Sequence, residues 1–155
     1  MIRVRHLIAL TSAMMSIGSA DAQSVVSRSC NFSIKARCVS GDAHLTLADG
    51  TVTSIEINVD WCGLRGQPAY SCSISSSRGD KDSLWSDEQG ATLISNASPF
   101  SAQQPDRVKV TVGRFVSIDM QETQSLGRCG AGAELPEAIV MPERGNACRI
   151  WLSDP

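Results

Sequence analysis

Apolar and polar residues alternate along much of the chain instead of recurring at helical spacing. Phe32, Ile34, Ala36 and Cys38 share one parity in Asn31–Cys38, and Ile55, Ile57, Val59 and Trp61 share one in Thr53–Trp61. The longest case runs through Val108, Val110, Val112, Val116, Ile118 and Met120, with Lys109, Thr111, Ser117 and Asp119 between them. A repeat of two puts alternate side chains on opposite faces of an extended chain, so these runs predict strands. Turn chemistry separates them at Ser40-Gly41-Asp42, Asp49-Gly50, Ser77-Arg78-Gly79-Asp80 and Glu143-Arg144-Gly145-Asn146.

Asp49-Gly50 is the sharpest hairpin signal, because a two-residue type I′ turn needs positive φ at both positions. It predicts Leu47 opposite Val52. At Gly113 a two-residue turn would set Val110 against Ser117 and mix the faces. A three-residue turn, Gly113 to Phe115, pairs Val112 with Val116 and Val110 with Ile118; a continuous strand also keeps parity, and both remain open. Ser95–Pro105 and Gly130–Glu137 read as loops, helical patterns are weak, and no internal repeat is present. The expectation is a mostly β fold, an antiparallel sandwich or small barrel in a single domain.

The first two dozen residues change the picture. Arg3, Arg5 and His6 precede an apolar stretch from Leu7 to Ile17, and Ala20 and Ala22 supply the small-residue pair that a signal peptidase admits. Residues 1–22 are therefore expected to be a signal peptide, with a secreted or periplasmic domain over 23–155 beginning at Gln23. The apolar stretch falls short of the roughly 20 residues that span a bilayer, and no later segment predicts a membrane span. Two basic residues and one acid leave with the leader, so the net charge of −2 becomes −3. Charges of both signs are interspersed without a basic stripe, which argues against nucleic acid as a partner. Aromatic residues make up only 5% of the chain, too few for a base-stacking platform.

All six cysteines, Cys30, Cys38, Cys62, Cys72, Cys129 and Cys148, follow the leader. An even number behind a signal peptide predicts three disulfides. No C-x-x-C occurs and His44 is the one histidine after the leader, so neither a metal site nor a cofactor is expected. If Asn31–Cys38 is extended, Cys30 and Cys38 stand roughly 26 Å apart and cannot bond to each other. Cys62 and Cys72 are expected to close the Gly63–Ser71 loop, leaving Cys30 and Cys38 to pair with Cys129 and Cys148 in either order. The rival is a sequential set, with Cys129–Cys148 and a bent Cys30–Cys38 segment.

Candidate chemistry is sparse. A serine hydrolase would have to use His44 as its base, and no G-x-S-x-G elbow is present. Glu134 and Glu137 are carboxylates of the kind a glycosidase needs, but sequence does not place them across a cleft. Asp80–Glu88 is the densest acidic stretch; Leu84 and Trp85 occupy the places where the common calcium loop has its third alternating acid and its central glycine. Arg78-Gly79-Asp80 matches a short adhesion tripeptide and also a turn.

Arg37-Cys38-Val39-Ser40-Gly41, then Gly66-Gln67-Pro68-Ala69-Tyr70, Leu84-Trp85-Ser86 and Gly90-Ala91-Thr92-Leu93 follow in an order that resembles the periplasmic and membrane-bound inhibitors of chicken-type lysozymes. That family consists of small β-barrels that plug the enzyme's cleft with loops. The resemblance implies that Tyr70 matches the tyrosine of their inhibitory S-G-x-x-Y loop and Trp85 an aromatic before their second loop. Arg65 stands where the inserted serine would be, and Ser86-Asp87 replaces a Thr-Lys pair. The likeness covers about residues 37–93.

The resulting expectation is a binding or inhibitory module for an extracytoplasmic protein or glycan, with Leu64, Arg65 and Tyr70 as its contact surface. The alternatives are an envelope or surface structural protein without enzymatic activity and, behind it, a carboxylate-dependent hydrolase. A disulfide-locked loop favours binding because less ordering is left to be done on contact.

Overall fold

The computed structural model describes residues 23–63, 68–96, 106–123, 129 and 134–153. Within them the alternation is realised as ten strands in two antiparallel sheets. Sheet A is a meander of β1 (Val25–Ile34), β2 (Val39–Ala48), β3 (Thr51–Cys62) and β4 (Pro68–Ser77) in spatial order. Sheet B contains β5 (Ser83–Glu88), β6 (Ala91–Asn96), β7 (Asp106–Val112), β8 (Val116–Asp119), β9 (Ala138–Met141) and β10 (Arg149–Trp151), again each beside its neighbour in sequence. The two form a sandwich, not a closed barrel. Its core is the inward parity of both sheets, with Leu45, Ile55, Ile57 and Ile74 from one and Ile94, Val110, Ile118 and Ile139 from the other, all shielded from water. No helix among the described residues is long and apolar enough to cross a membrane.

The Asp49-Gly50 hairpin is present, and at Gly113 the structure decides between the two alternatives that parity left open. Asp49 and Gly50 have φ of 50° and 79°, with Leu47 opposite Val52 as the type I′ hairpin requires. At Gly113 the chain takes the three-residue turn, pairing Val112 with Val116 and Val110 with Ile118. The Leu47–Val52 pairing and the Ile55, Ile57, Val59 parity would conflict in a regular strand. Thr46 lies opposite Ser54 while Leu47 lies opposite Val52, so Thr53 is an extra residue that shifts the parity. The Thr53 hydroxyl donates to the Thr46 carbonyl at 3.2 Å within this bulge.

Two local expectations fail. The extended run does not continue to Cys38: β1 ends at Ile34, a 3-10 turn covers Lys35–Arg37, and Cys38 turns back with φ of 53°. The shared parity of Ala36 and Cys38 with Phe32 is coincidental. Ser40-Gly41-Asp42 is not a turn but the interior of β2, paired to both β1 and β3. Gly41 is there because the Asn58 carbonyl of β3 and the Phe32 ring close in on it, leaving no room for a side chain.

The cysteines all pair, but not as Cys62–Cys72. The bonds are Cys30–Cys148, Cys38–Cys62 and Cys72–Cys129, with Cα separations of 5.3, 5.4 and 4.5 Å. Only Cys30–Cys148 belongs to the expected alternatives. Strand β4 starts at Pro68, so Cys72 lies deep in the strand opposite Val59. Val59 and Cys62 are three residues apart, about 10 Å along a strand, which puts Cys72 out of reach of Cys62. Cys38 instead meets Cys62 at the open end of the β2–β3 hairpin, where the Cys62 amide also donates to the Cys38 carbonyl at 2.9 Å. The other two bonds run between layers: Cys30 of β1 joins the segment entering β10, and Cys72 of β4 joins the connection between β8 and β9. Beside Cys148, Ala147 forms a parallel bridge with Asn31, giving that edge of sheet A a partner.

A polar clip holds the crossover from sheet A to sheet B. Arg78 donates from Nε to the Val52 carbonyl at 2.7 Å and from Nη2 to both Asp87 oxygens, and its guanidinium stands 5.2 Å from the Trp85 ring centre. Asp80 accepts from the Ser77 amide and closes the turn. Arg78-Gly79-Asp80 is thus committed to structure. The Thr92 hydroxyl, and then the Arg78 guanidinium, hold the Asp87 carboxyl below its ordinary value of 3.8. A carboxylate with a depressed folded-state pKa contributes stability above its unfolded value and loses that contribution as pH falls through the folded one. Asp87→Asn is therefore expected to melt below the parent at pH 7, with the gap closing only as pH drops beneath 3.8. Because Asp87 is half-exposed, the gap is small and shrinks in salt. Thermal melts across pH 7 to 2 check this; a gap unchanged at the acid end removes the carboxylate from the account.

Candidate functional site

The parity that buries one face of sheet A puts its other face in water, and cross-strand pairing lays that face out in rows. Ser27, Thr46, Ser54 and Ser77 form one row, and Ser29, His44, Glu56 and Ser75 the next. Asn31, Asp42, Asn58 and Ser73 follow, then Ser33, Ser40, Asp60 and Ser71. None of these side chains is apolar, none is Lys or Arg, and none is buried. Of the β-branched and aromatic residues that strands favour, only Thr46 occurs among them.

Hydrogen bonds link the polar groups laterally. The Asn58 amide donates to Asp42 at 3.2 Å and to Glu56 at 3.3 Å, and the Ser71 hydroxyl donates to Asp60 at 2.6 Å. His44 Nε2 lies 3.0 Å from Asp42 Oδ2, with its ring more than half exposed. A shallow depression of about 390 Å³ opens on this face around His44 and Glu56, flanked by Ser29, Thr46, Ser54 and Ser75. The three carboxylates give the rows a negative field; Arg28, which also lines the depression, belongs to the opposite parity, opposite Leu45.

The outer face of sheet B is built differently. Leu84, Leu93, Val140 and Trp151 share it with Arg107, Lys109, Arg149, Asp119 and Glu88. Its depression, about 560 Å³, has opposite charges set against each other. Lys109 is directly across from Asp119, and Arg107 Nη1 is 3.3 Å from Glu122. Such interspersed charge is an ordinary solvated surface.

Of the residues the sequence singled out, Leu64 and Arg65 lie outside the described residues. Tyr70 is opposite Trp61 near the start of β4 and is 46% exposed. It has the parity of Cys72 and Ile74, so it is on the other side of the strand from the serines. His44 is on the open sheet, not in a cleft that excludes water from a reacting centre. The Glu137 carboxylate accepts from the Ser153 hydroxyl, and the Glu134 carbonyl accepts from the Trp61 indole at 2.9 Å. Asp80–Glu88 does not wrap into a loop, since Ser83–Glu88 is the extended strand β5. No group of three His, Cys, Asp or Glu side chains suited to a metal ion forms among the described residues.

The serine rows escaped the sequence reading, though their signal was present. Ser71, Ser73, Ser75 and Ser77 recur at every second position, as do Ser27 and Ser29. Comparison with protein-family models, with curated proteins and with solved structures returns no match.

Proposed function

We propose that this chain is a secreted or periplasmic binding module that meets its ligand with the outer face of sheet A. The observation that carries the reading is the contrast between the two outer faces. One mixes apolar groups with paired charges; the other presents short hydrogen-bonding side chains around a depression at His44 and Glu56. The disulfides support it, because a sheet held by covalent cross-links loses little freedom when a ligand arrives. They are also consistent with an oxidising compartment, to which the signal-peptide pattern of residues 1–22 would deliver residues 23–155.

An inhibitory use of the rim is the second reading, favoured by the exposure of Tyr70 near the start of β4. The two uses involve different sides of β4, so one experiment separates them. Protein beginning at Gln23, immobilised with its disulfides intact, is exposed to envelope extract. Ser29→Lys combined with Ser75→Lys is expected to abolish retention of the ligand, whereas Tyr70→Ala leaves it intact. The reverse outcome, joined to inhibition of a chicken-type lysozyme that Tyr70→Ala relieves, would establish the rim. Full retention by both variants would remove both surfaces.

A further inference from the structure

The rows on sheet A specify a kind of ligand. Protein interfaces ordinarily have an apolar centre with aromatic anchors, and this face offers neither. Anionic polymers are disfavoured by Asp42, Glu56 and Asp60, which have no Lys or Arg among the surrounding rows to offset them. What remains is a partner rich in groups that both donate and accept hydrogen bonds and that carries no negative charge.

Serine and threonine hydroxyls do both, Asn58 and Asn31 offer an amide of each kind, and the carboxylates accept only. The side chains repeat about every 6.7 Å along a strand and about 4.8 Å between strands, so the face is a regular grid. Most of its members are short and lose little rotamer freedom on contact. A regular polymer bearing many hydroxyls fits the grid, and positive groups on that polymer would find the strongest acceptors at the carboxylates.

We infer that the outer face of sheet A binds a linear glycan bearing free amino groups, laid over the depression at His44 and Glu56. The serine hydroxyls meet sugar hydroxyls, and Asp42, Glu56 and Asp60 receive the ammonium groups. The assignment rests on the binding-module reading and adds the ligand class to it. With no aromatic platform on this face, affinity comes from many weak lateral bonds and grows with glycan length.

Soluble oligomers of β-1,4-linked glucosamine and the same oligomers in N-acetylated form make the test, because they differ in charge on one backbone. Calorimetric titration at low salt is expected to show the amino form bound about tenfold more tightly, in keeping with charge-assisted bonds. High salt should erase most of that preference. The double variant Ser29→Lys/Ser75→Lys puts a cation at each end of the His44–Glu56 row and is expected to weaken the amino form by about tenfold or more. Lys109→Ser, on sheet B, should bind as the parent does. All three proteins are compared by circular dichroism and melting, so a folding defect is visible as such. Equal binding of both oligomers, or binding that survives the double variant, would overturn the assignment. Failure of every oligomer to bind would also overturn it. If the double variant then still loses a ligand from envelope extract, the face remains a binding surface and only the glycan class falls.

Discussion

Simultaneous replacement of Cys30 and Cys148 by alanine is expected to cost about 5 kcal/mol of unfolding free energy, the largest effect among the three disulfides. The bond joins residues 118 apart in sequence, so removing it restores more freedom to the unfolded chain than removing either of the others. The Cys72–Cys129 bond spans 57 residues and Cys38–Cys62 spans 24, for which the same loop-entropy relation gives about 4 and about 3.5 kcal/mol. Geometry reinforces the order. Cys30 is buried and its bond ties β1 to the segment entering β10, across the sandwich. Cys38–Cys62 lies within one sheet, between strands already joined by a tight hairpin. Since a domain of this size is stable by about 5–15 kcal/mol, loss of Cys30–Cys148 consumes a large part of the margin. Urea unfolding of the three paired variants under non-reducing conditions measures the order. A larger loss from Cys38→Ala/Cys62→Ala would show that local geometry outweighs loop length here.

Gly41→Ala should cost about 3 kcal/mol, at the upper end for a single added methyl in a close-packed interior. A Cβ at this position would stand 2.1 Å from the Asn58 carbonyl oxygen and 2.5 Å from the Phe32 ring. The ring can give way by rotation, but the carbonyl belongs to β3 and can move only with the β2–β3 ladder. Phe32→Leu in the same chain is therefore expected to recover part of the loss and not all of it. Gly113→Ala supplies the comparison: its nearest neighbour, the Phe115 carbonyl oxygen, would be 3.8 Å away, and the change should stay within about 0.5 kcal/mol. Denaturation midpoints of the four proteins decide the matter. A Gly41→Ala protein as stable as the Gly113→Ala protein would mean that β2 shifts freely at this point.

These two predictions involve residues whose roles the linear pattern disguised. Glycine between Ser40 and Asp42 has the composition of a turn, and local chemistry gave no reason to read it otherwise. The reason for it lies in the Asn58 carbonyl of β3 and in an aromatic ring nine residues upstream, which the β2–β3 and β1–β2 pairings bring against the strand. The cysteines present the same difficulty. Cys62 and Cys72 are close in sequence with glycines and a proline between them, which favours a closed loop. The partner of each was decided by where β4 begins and which face Cys72 occupies. Arg78 likewise reads as a turn residue or a recognition tripeptide until Val52, Trp85 and Asp87 are brought around it.

The candidate site was half legible. Alternation of apolar residues implies an equal alternation of what faces the other way, so Ser71, Ser73, Ser75 and Ser77 were readable as one exposed face of a strand. That they align with Ser29, His44 and Glu56 into rows was not readable, because alignment depends on the register of three strand pairs. A shift of one residue in any of them would have turned a row toward the core.

The sequence by itself determined the β class, the antiparallel hairpin at Asp49-Gly50 and the core parity within single runs such as Ile55, Ile57 and Val59, because these follow from side-chain alternation and from φ preferences within a few residues. It also determined that six cysteines would be shared among three bonds. Only the tertiary structure decided which cysteines meet, that the sheets form an open sandwich instead of a barrel, and that one outer face is a polar grid while the other is a mixed surface. Each of those depends on contacts between residues distant in sequence, where the packing of two layers, and not the preference of any local segment, selects the partner.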